Sequence, residues 1–319
     1  MAIIANKVSF SEVDDEYQGQ RLDNYLIREL KSVPKSWVYR VIRKGEVRIN
    51  KKRAKPDTRL VAGDVVRIPP HHQYLESRTT VPEPLQKQLQ QAILFENAWV
   101  IAINKPSGMA VHGGSGVSFG VIEILRAARP EEKFLELVHR LDRDTSGVLL
   151  IAKRKKALNE LHDQLQQKSL TKIYHLVCEG EWPKRKNKVE LPLRKNAVRS
   201  GERLVIVDEA GKYALTRFNR LSVGQQVSLV EAEPVTGRTH QIRVHALAAG
   251  HAILGDDKYA SSEMLAKWKQ KGCSRLCLHA HRIQFSLSTV SKPIEVIAPV
   301  PELFQQLLSA DSKDDKGSD

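Results

Sequence analysis

Between Arg21 and Lys31 the apolar residues Leu22, Tyr25, Leu26 and Leu30 recur at helical spacing and predict a first helix. Val33-Pro34-Lys35-Ser36 breaks the pattern. Ser36 is placed to cap a second helix that turns Trp37, Val38, Val41 and Ile42 inward and stops at Gly45. The period then changes to two. Val47 and Ile49 alternate with Arg48, Asn50-Lys51-Lys52-Arg53 forms a basic turn, and Val65-Val66-Arg67-Ile68 makes a second strand after Ala62-Gly63-Asp64. This predicts a small closed unit over residues 1–75. From His71 to about Gln90 no apolar period is sustained, and a linker is expected over residues 76–91.

A second domain is expected over 92–311. Ile93-Leu94-Phe95 and Trp99-Val100-Ile101-Ala102-Ile103 read as strands around a polar turn, and Val148-Leu149-Leu150-Ile151-Ala152 reads as a buried strand. Ala157 to Gln167 carries Leu158, Leu161 and Leu165 at helical spacing. Thr171 to Cys178 reads as a strand with Tyr174, Leu176 and Cys178 on one face. Thr239 is placed to cap a helix reaching Leu247, with His240, Arg243, Val244 and Leu247 along one side, and Ile283 to Leu287 is a further strand. The polar tail, 312–319, is expected to be disordered. Strands outnumber helices and many are joined by turns, so the predicted class is α+β, with a mixed, mainly antiparallel sheet flanked by helices.

Composition narrows the function. The 319-residue chain contains no apolar run approaching the ~18 residues that span a bilayer, and its opening residues lack the order of a secretory signal; a cytoplasmic protein is expected. Cys178, Cys273 and Cys277 are odd in number and lack a second pair, which predicts reduced thiols without metal. A net charge of +14 attracts polyanions, and with no basic amphipathic helix the expected partner is nucleic acid and not a membrane. Between Arg28 and Arg59 the basic residues, among them Arg40, Arg43, Lys44, Lys51, Lys52 and Arg53, face only Glu29, Glu46 and Asp57. Two helices followed by a basic hairpin resemble the S4 RNA-binding domain, which makes those six residues candidate RNA contacts.

Three stretches carry candidate chemistry. Asn104-Lys105-Pro106-Ser107-Gly108 opens a glycine-rich loop running past His112 to Gly116, with neither a Walker ending nor a dinucleotide GxGxxG in strand-turn-helix context. His139-Arg140-Leu141-Asp142-Arg143-Asp144-Thr145-Ser146-Gly147 crowds two carboxylates among arginines at the mouth of the Val148 strand. An aspartate so placed suits a nucleophile or base; the bland alternative is a surface loop of mutual salt bridges. Gly237-Arg238-Thr239-His240-Gln241-Ile242-Arg243 puts an arginine on a stiff element. His240 and His245 fall on different helical faces, which argues against metal. Tyr174 is either a core ring or a platform for a base.

In this order, the Asn104 loop, the His139 loop, Tyr174 and the Gly237 segment resemble the RluA family of pseudouridine synthases over about residues 90 to 300, and the S4-like unit matches its larger bacterial members. The run from His112 to Glu123 further resembles the C-type members that act on large-subunit ribosomal RNA. The resemblance implies a pseudouridine synthase fold and isomerisation of uridines in 23S rRNA, or in a large-subunit assembly intermediate, by a monomer that flips the base out and needs no cofactor. It makes Asp142 the catalytic aspartate, Tyr174 the active-site tyrosine, and Arg243 the arginine that pairs with Asp142. Leu278 becomes an apolar wall beneath the base, and Arg140 helps occupy the space the base leaves. Lys105, His112 and Arg238 are further candidate substrate contacts, and Asp144 is expected to pair with a nearby arginine. A glycoside hydrolase is disfavoured because Asp142 and Asp144 are too close in sequence to face each other across a sugar ring. A non-catalytic RNA-binding protein is disfavoured by the intact Asp142, Tyr174 and Arg243 set.

Overall fold

The computed structural model describes every residue except 1–2, 6, 31–32, 34, 74–79, 115–116, 198–202 and 314–319. The chain divides into two compact units, Met1–Thr80 and Val81–Asp319.

In the first unit, α1 (Leu22–Glu29) and α2 (Lys35–Lys44) lie in sequence between β2 (Ser9–Glu12) and the short strands β3 (Arg48–Ile49), β4 (Lys52–Arg53) and β5 (Val65–Ile68). Strand β1 (Ile3–Ala5) pairs with β6 (His71–Gln73), and the other four form an antiparallel sheet in the order β2-β5-β3-β4. The helical stripe read from the sequence is the core: Leu22, Tyr25, Leu26, Leu30, Val38, Val41 and Ile42 are buried with Val47 and Val66. Helix α2 begins at Lys35, so Ser36 sits inside its first turn and not at its cap.

The second unit opens with α3 (Glu83–Gln91), β7 (Ile93–Glu96), β8 (Val100–Lys105), α4 (Val121–Ala128), β9 (Glu136–Leu137) and β10 (Ser146–Ala152). After α5 (Lys155–Gln167) come β11 (Thr171–Glu179), β12 (Lys188–Glu190), β13 (Leu193–Ala197), β14 (Arg203–Val207), β15 (Leu215–Val223) and β16 (Val227–Pro234). Helices α6 (Gln241–Ala248) and α7 (Ser262–Gln270), strands β17 (Leu278–Phe285) and β18 (Ile294–Ile297), and α8 (Glu302–Lys313) complete it.

The expected linker is in part a helix. Pro84 stands in the first turn of α3, where a missing N–H costs nothing, and Leu89 is fully buried in the second unit's core. One buried leucine among glutamines is too weak a stripe to show as a period. The linker residues 76–79 lie outside the described set. At the other end Ser312 and Lys313 complete α8, and 314–319 also lie outside it.

Ten strands form the main sheet along the path β12-β15-β16-β11-β17-β10-β8-β7, with β18 on β17 and β9 on β10. Only β10 and β17 run parallel among its described pairings. Strand β10 is buried throughout because it has a core on each face: Leu149 and Ile151 belong to one, Val148, Leu150 and Ala152 to the other. That explains its unbroken apolar run. Its register sets the site. Ser146 lies opposite His279 and Gly147 opposite Ala280, while Tyr174 of β11 lies on the other side of Ala280. The aspartate loop therefore ends beside Leu278, close to Tyr174. Gly147 takes φ +105°, and a Cβ there would lie 2.2 Å from the Ala280 carbonyl oxygen, so the close approach of β10 to β17 needs glycine.

Candidate active site

A cleft of about 680 Å³ opens where β10, β11 and β17 meet the start of α6. Its lining includes Arg140, Asp142, Tyr174, Arg238, Arg243 and Leu278, so six of the eight predicted substrate-site residues come together. Lys105 and His112 do not join them.

Lys105 is a brace. It is fully buried, and its ammonium donates to three carbonyls, Pro106 and Arg143 at 2.8 and 2.9 Å and Met109 at 2.9 Å. Burial pulls its pKa down to about 7 against the charges of Asp144 and Asp142. The Ser107 hydroxyl donates to the Asp144 carbonyl at 2.6 Å, and Arg143 donates to the Gly108 carbonyl at 3.1 Å. The glycine-rich loop is thus tied to the aspartate loop by backbone acceptors, and Lys105 has no donor left for a substrate. His112 is exposed and is absent from the cleft lining. Its neighbourhood is organised by Glu123, whose Oε2 accepts the Gly113 and Gly120 N–H groups at 2.9 and 2.8 Å.

Asp142 is partly open to the cleft, with its side chain 22% exposed. Its Oδ2 lies 3.6 Å from Arg243 Nη1 and 3.7 Å from His240 Nε2. Arg243 itself is held elsewhere: its Nε and Nη2 donate to the two carboxylate oxygens of Asp256 at 2.8 and 2.6 Å. Burial opposes the Arg243 charge, but the Asp256 hydrogen bonds and the charges of Asp256 and Asp142 raise its pKa. The predicted partner of Asp142 is therefore positioned by a second acid. Asp256 in turn accepts the backbone N–H groups of Lys258 and Tyr259, and the Arg243 guanidinium lies 5.1 Å over the Tyr259 ring.

His240 is not on the helix it was read into. It stands before α6 with φ +52°, an unfavourable conformation for a non-glycine residue, and Thr239 precedes it instead of capping the helix. The Tyr259 hydroxyl accepts the Val205 N–H at 3.0 Å and shares a 2.7 Å hydrogen bond with His240 Nδ1. The bond fixes the ring with Nε2 facing Asp142. Burial lowers the pKa of His240, against the pull of Asp142, which favours the neutral ring. His245 is separate: its ring nitrogens meet the Thr216 hydroxyl at 2.9 Å and the Leu191 carbonyl at 3.1 Å. Leu247 is exposed, so it does not share the Arg243 side of α6.

Tyr174 is 9% exposed, and burial followed by the Asp142 charge raises its pKa, so its phenol stays protonated at neutral pH. Asp144 forms no ion pair within 4 Å among the described residues, contrary to the arginine partner expected for it; Lys105 and Arg143 donate instead to the Arg143 and Gly108 carbonyls. Lys172 also lines the cleft, with no carboxylate within 4 Å among the described residues and a pKa lowered by burial. Asp256, His240, Tyr259 and Lys172 were not singled out as site residues from sequence. Only the aspartate pair following Gly255 offered a local signal, an acidic turn near a glycine.

The sequence profile described as RNA pseudouridylate synthase matches residues 99–248, and that of the S4 domain matches residues 20–66. A protein named ribosomal large subunit pseudouridine synthase C from Haemophilus ducreyi is 48% identical over 308 residues, covering 96% of each chain. The chain belongs to the RNA pseudouridine synthase family. The protein of the same name from Escherichia coli strain K12 is 50% identical over 294 residues, 91% of this chain and 92% of its relative. Two human structures share the synthase fold. RNA pseudouridylate synthase domain containing 4 superposes with a TM-score of 0.58 at 23% identity, covering 71% of this chain and 95% of its own. Domain containing 1 gives 0.55 at 25%, covering 65% and 82%. This pseudouridine synthase is thus an isomerase of RNA with an S4 domain at its N-terminal end, and its six predicted RNA contacts, Arg40, Arg43, Lys44, Lys51, Lys52 and Arg53, are all exposed on that domain. No helix among the described residues is long and apolar enough to cross a membrane.

Proposed function

We propose that this synthase converts uridines of 23S ribosomal RNA, free or in a large-subunit assembly intermediate, to pseudouridine, with Asp142 as the reacting carboxylate. The observation that carries the reading is the placement of Asp142 in a cleft, between a buried guanidinium and the His240 imidazole, with Tyr174 and Leu278 in the same lining. The large-subunit substrate rests on the names of the relatives and their coverage of nearly the whole chain.

The reaction breaks the N1–C1′ bond, rotates the uracil and forms C5–C1′, while a proton leaves C5 and one is restored at N1. It consumes no electrons and transfers no external group, so the chemistry itself calls for no cofactor. A uridine within folded RNA must be flipped out to reach Asp142. Leu278 supplies an apolar wall and Tyr174 a ring for the freed base, and Arg140, at the exposed rim, fills the space it leaves. Arg238 anchors its own segment through a 3.0 Å bond to the Tyr213 carbonyl and presents its remaining donors to RNA phosphate. Attack at the sugar and proton removal from C2′ both begin from the same placed carboxylate.

The three buried, unlinked cysteines and the ribosomal substrate support a cytoplasmic location. The test is carbodiimide-based mapping of pseudouridine in 23S rRNA from cells lacking the protein and from cells complemented with it. Loss and rescue at particular large-subunit sites is expected; an unchanged map would refute the substrate.

A further inference from the structure

The outer face of the first unit's sheet carries a row that the two-residue period and the strand register build together. Phe10 of β2 lies opposite Arg67 of β5, Arg67 opposite Arg48 of β3, and Arg48 opposite Arg53 of β4. Directly opposed residues project to the same side of a sheet, so an aromatic ring and three guanidiniums stand in line. Two of these four, Phe10 and Arg67, fall outside the matched S4 segment.

The three arginines are held together despite their like charge. Arg53 Nη2 donates to the Lys44 carbonyl at 3.2 Å, Arg48 Nε to the Gly45 carbonyl at 3.4 Å, and Arg67 Nη1 to the Glu46 carbonyl at 2.5 Å. These consecutive carbonyls lie at the end of α2, where the helix dipole is negative. Gly45 takes φ +74°, and a Cβ there would collide with the Arg53 guanidinium, so the corner is shaped to admit it. None of the three pairs with a carboxylate among the described residues, and each keeps most of its five N–H donors. One arginine would suffice to cap the helix. Three, pre-ordered and uncompensated, form an anion site.

At the other end of the row Phe10 is 67% exposed, the most exposed large apolar side chain among the described residues. Val65, two residues before Arg67 on the same face, is also exposed, and Glu12 opposite it places a negative charge that repels phosphate from that side. The backbone of a bound strand is thereby directed across the arginines while a base meets the ring.

We propose that this sheet face is a subsite for an unpaired segment of RNA, with phosphodiesters on Arg67, Arg48 and Arg53 and a base stacked on Phe10. The site deepens the RNA reading above and rests on it for the identity of the natural ligand. An acidic protein would satisfy the arginines but gives no role to a lone aromatic set in line with them, and a membrane would need a broader apolar face than Phe10 and Val65 provide.

The test uses the full-length protein, a labelled oligouridylate and an RNA hairpin of equal charge, titrated over a range of salt. Phe10→Ala should weaken oligouridylate binding by about fivefold or more, with hairpin binding little altered, and Phe10→Trp should restore it. The double variant Arg48→Gln/Arg67→Gln should flatten the salt dependence of oligouridylate binding by about 1.4 in the log–log slope, at ~0.7 per phosphate. Equal affinities for wild type and Phe10→Ala would overturn the subsite. Equal losses on oligouridylate and hairpin would overturn it as well, reducing the face to an unselective basic patch. Pseudouridine yield of the wild-type protein on rRNA is measured in parallel, so that failure of the substrate reading shows there and not in the oligonucleotide comparison.

Discussion

Arg243 grips Asp256 with two nitrogens, at 2.8 and 2.6 Å, and reaches Asp142 with the third at 3.6 Å. The guanidinium is a rigid plane, so fixing one edge on Asp256 aims the other at Asp142. Asp256 is 1% exposed and Arg243 3%, so the pair is dry. Asp256→Ala should strand a buried cation and cost about 3–5 kcal/mol in urea unfolding. Isomerisation should fall by about 100-fold in variants that stay folded, because Arg243 loses its orientation. A folded Asp256→Ala enzyme with near-normal turnover would show that Asp256 does not position Arg243.

Asp142→Asn keeps the size of the side chain and removes its charge. Pseudouridine formation should disappear while affinity for rRNA stays within about twofold, since the exposed arginines and lysines that dominate binding are untouched. Product assay and filter binding on the same preparation check this, and appreciable product would remove Asp142 from its role.

Lys105→Met should act as a packing lesion. Three carbonyls lose their donor in a buried place, each costing about 1–3 kcal/mol if left unsatisfied. A lowered unfolding midpoint is expected, with a fall in kcat as the aspartate loop loosens. A large rise in KM with unchanged stability would instead return Lys105 to the substrate.

Acid should weaken the second unit early. His175 and His279 are buried, and burial, followed for His175 by the charges of His281 and Arg282 and for His279 by Arg275, lowers their pKa values to about 4 and about 3. Each has a ring nitrogen without a hydrogen-bond partner among the described residues. Between those values and the ordinary 6.5 the unfolded chain binds more protons than the folded one, so stability falls as pH drops below about 6.5. The slope is up to about 1.4 kcal/mol per pH unit for each group. Urea midpoints measured from pH 7.5 to 5 should show this decline, and His279→Asn should flatten it; a midpoint independent of pH across that range would contradict the buried neutral histidines.

Local pattern determined a good deal. The stripe Leu22, Tyr25, Leu26 and Leu30 is the core of the first unit, because an amphipathic helix has only one face to bury. Val148 to Ala152 is an interior strand of the main sheet, because only an element covered on both faces tolerates that run. The His139 loop, Tyr174 and Arg243 could be singled out because their segments resemble the motifs of one family in one order along the chain.

What the sequence left open depends on contacts between residues far apart in the chain. Lys105 in a motif has the same letter whether it meets RNA or three carbonyls, and only the closure of one loop on another decided that it braces the site. Asp256 became the anchor of Arg243 through the packing of the segment after α6, and His240 was turned toward Asp142 by a strained backbone and a tyrosine 19 residues away. The row Phe10, Arg67, Arg48, Arg53 exists only through strand register, which aligns residues up to 57 positions apart. Periodicity dictates which face a side chain takes within its own element; which distant side chain it meets there is set by how the elements pack.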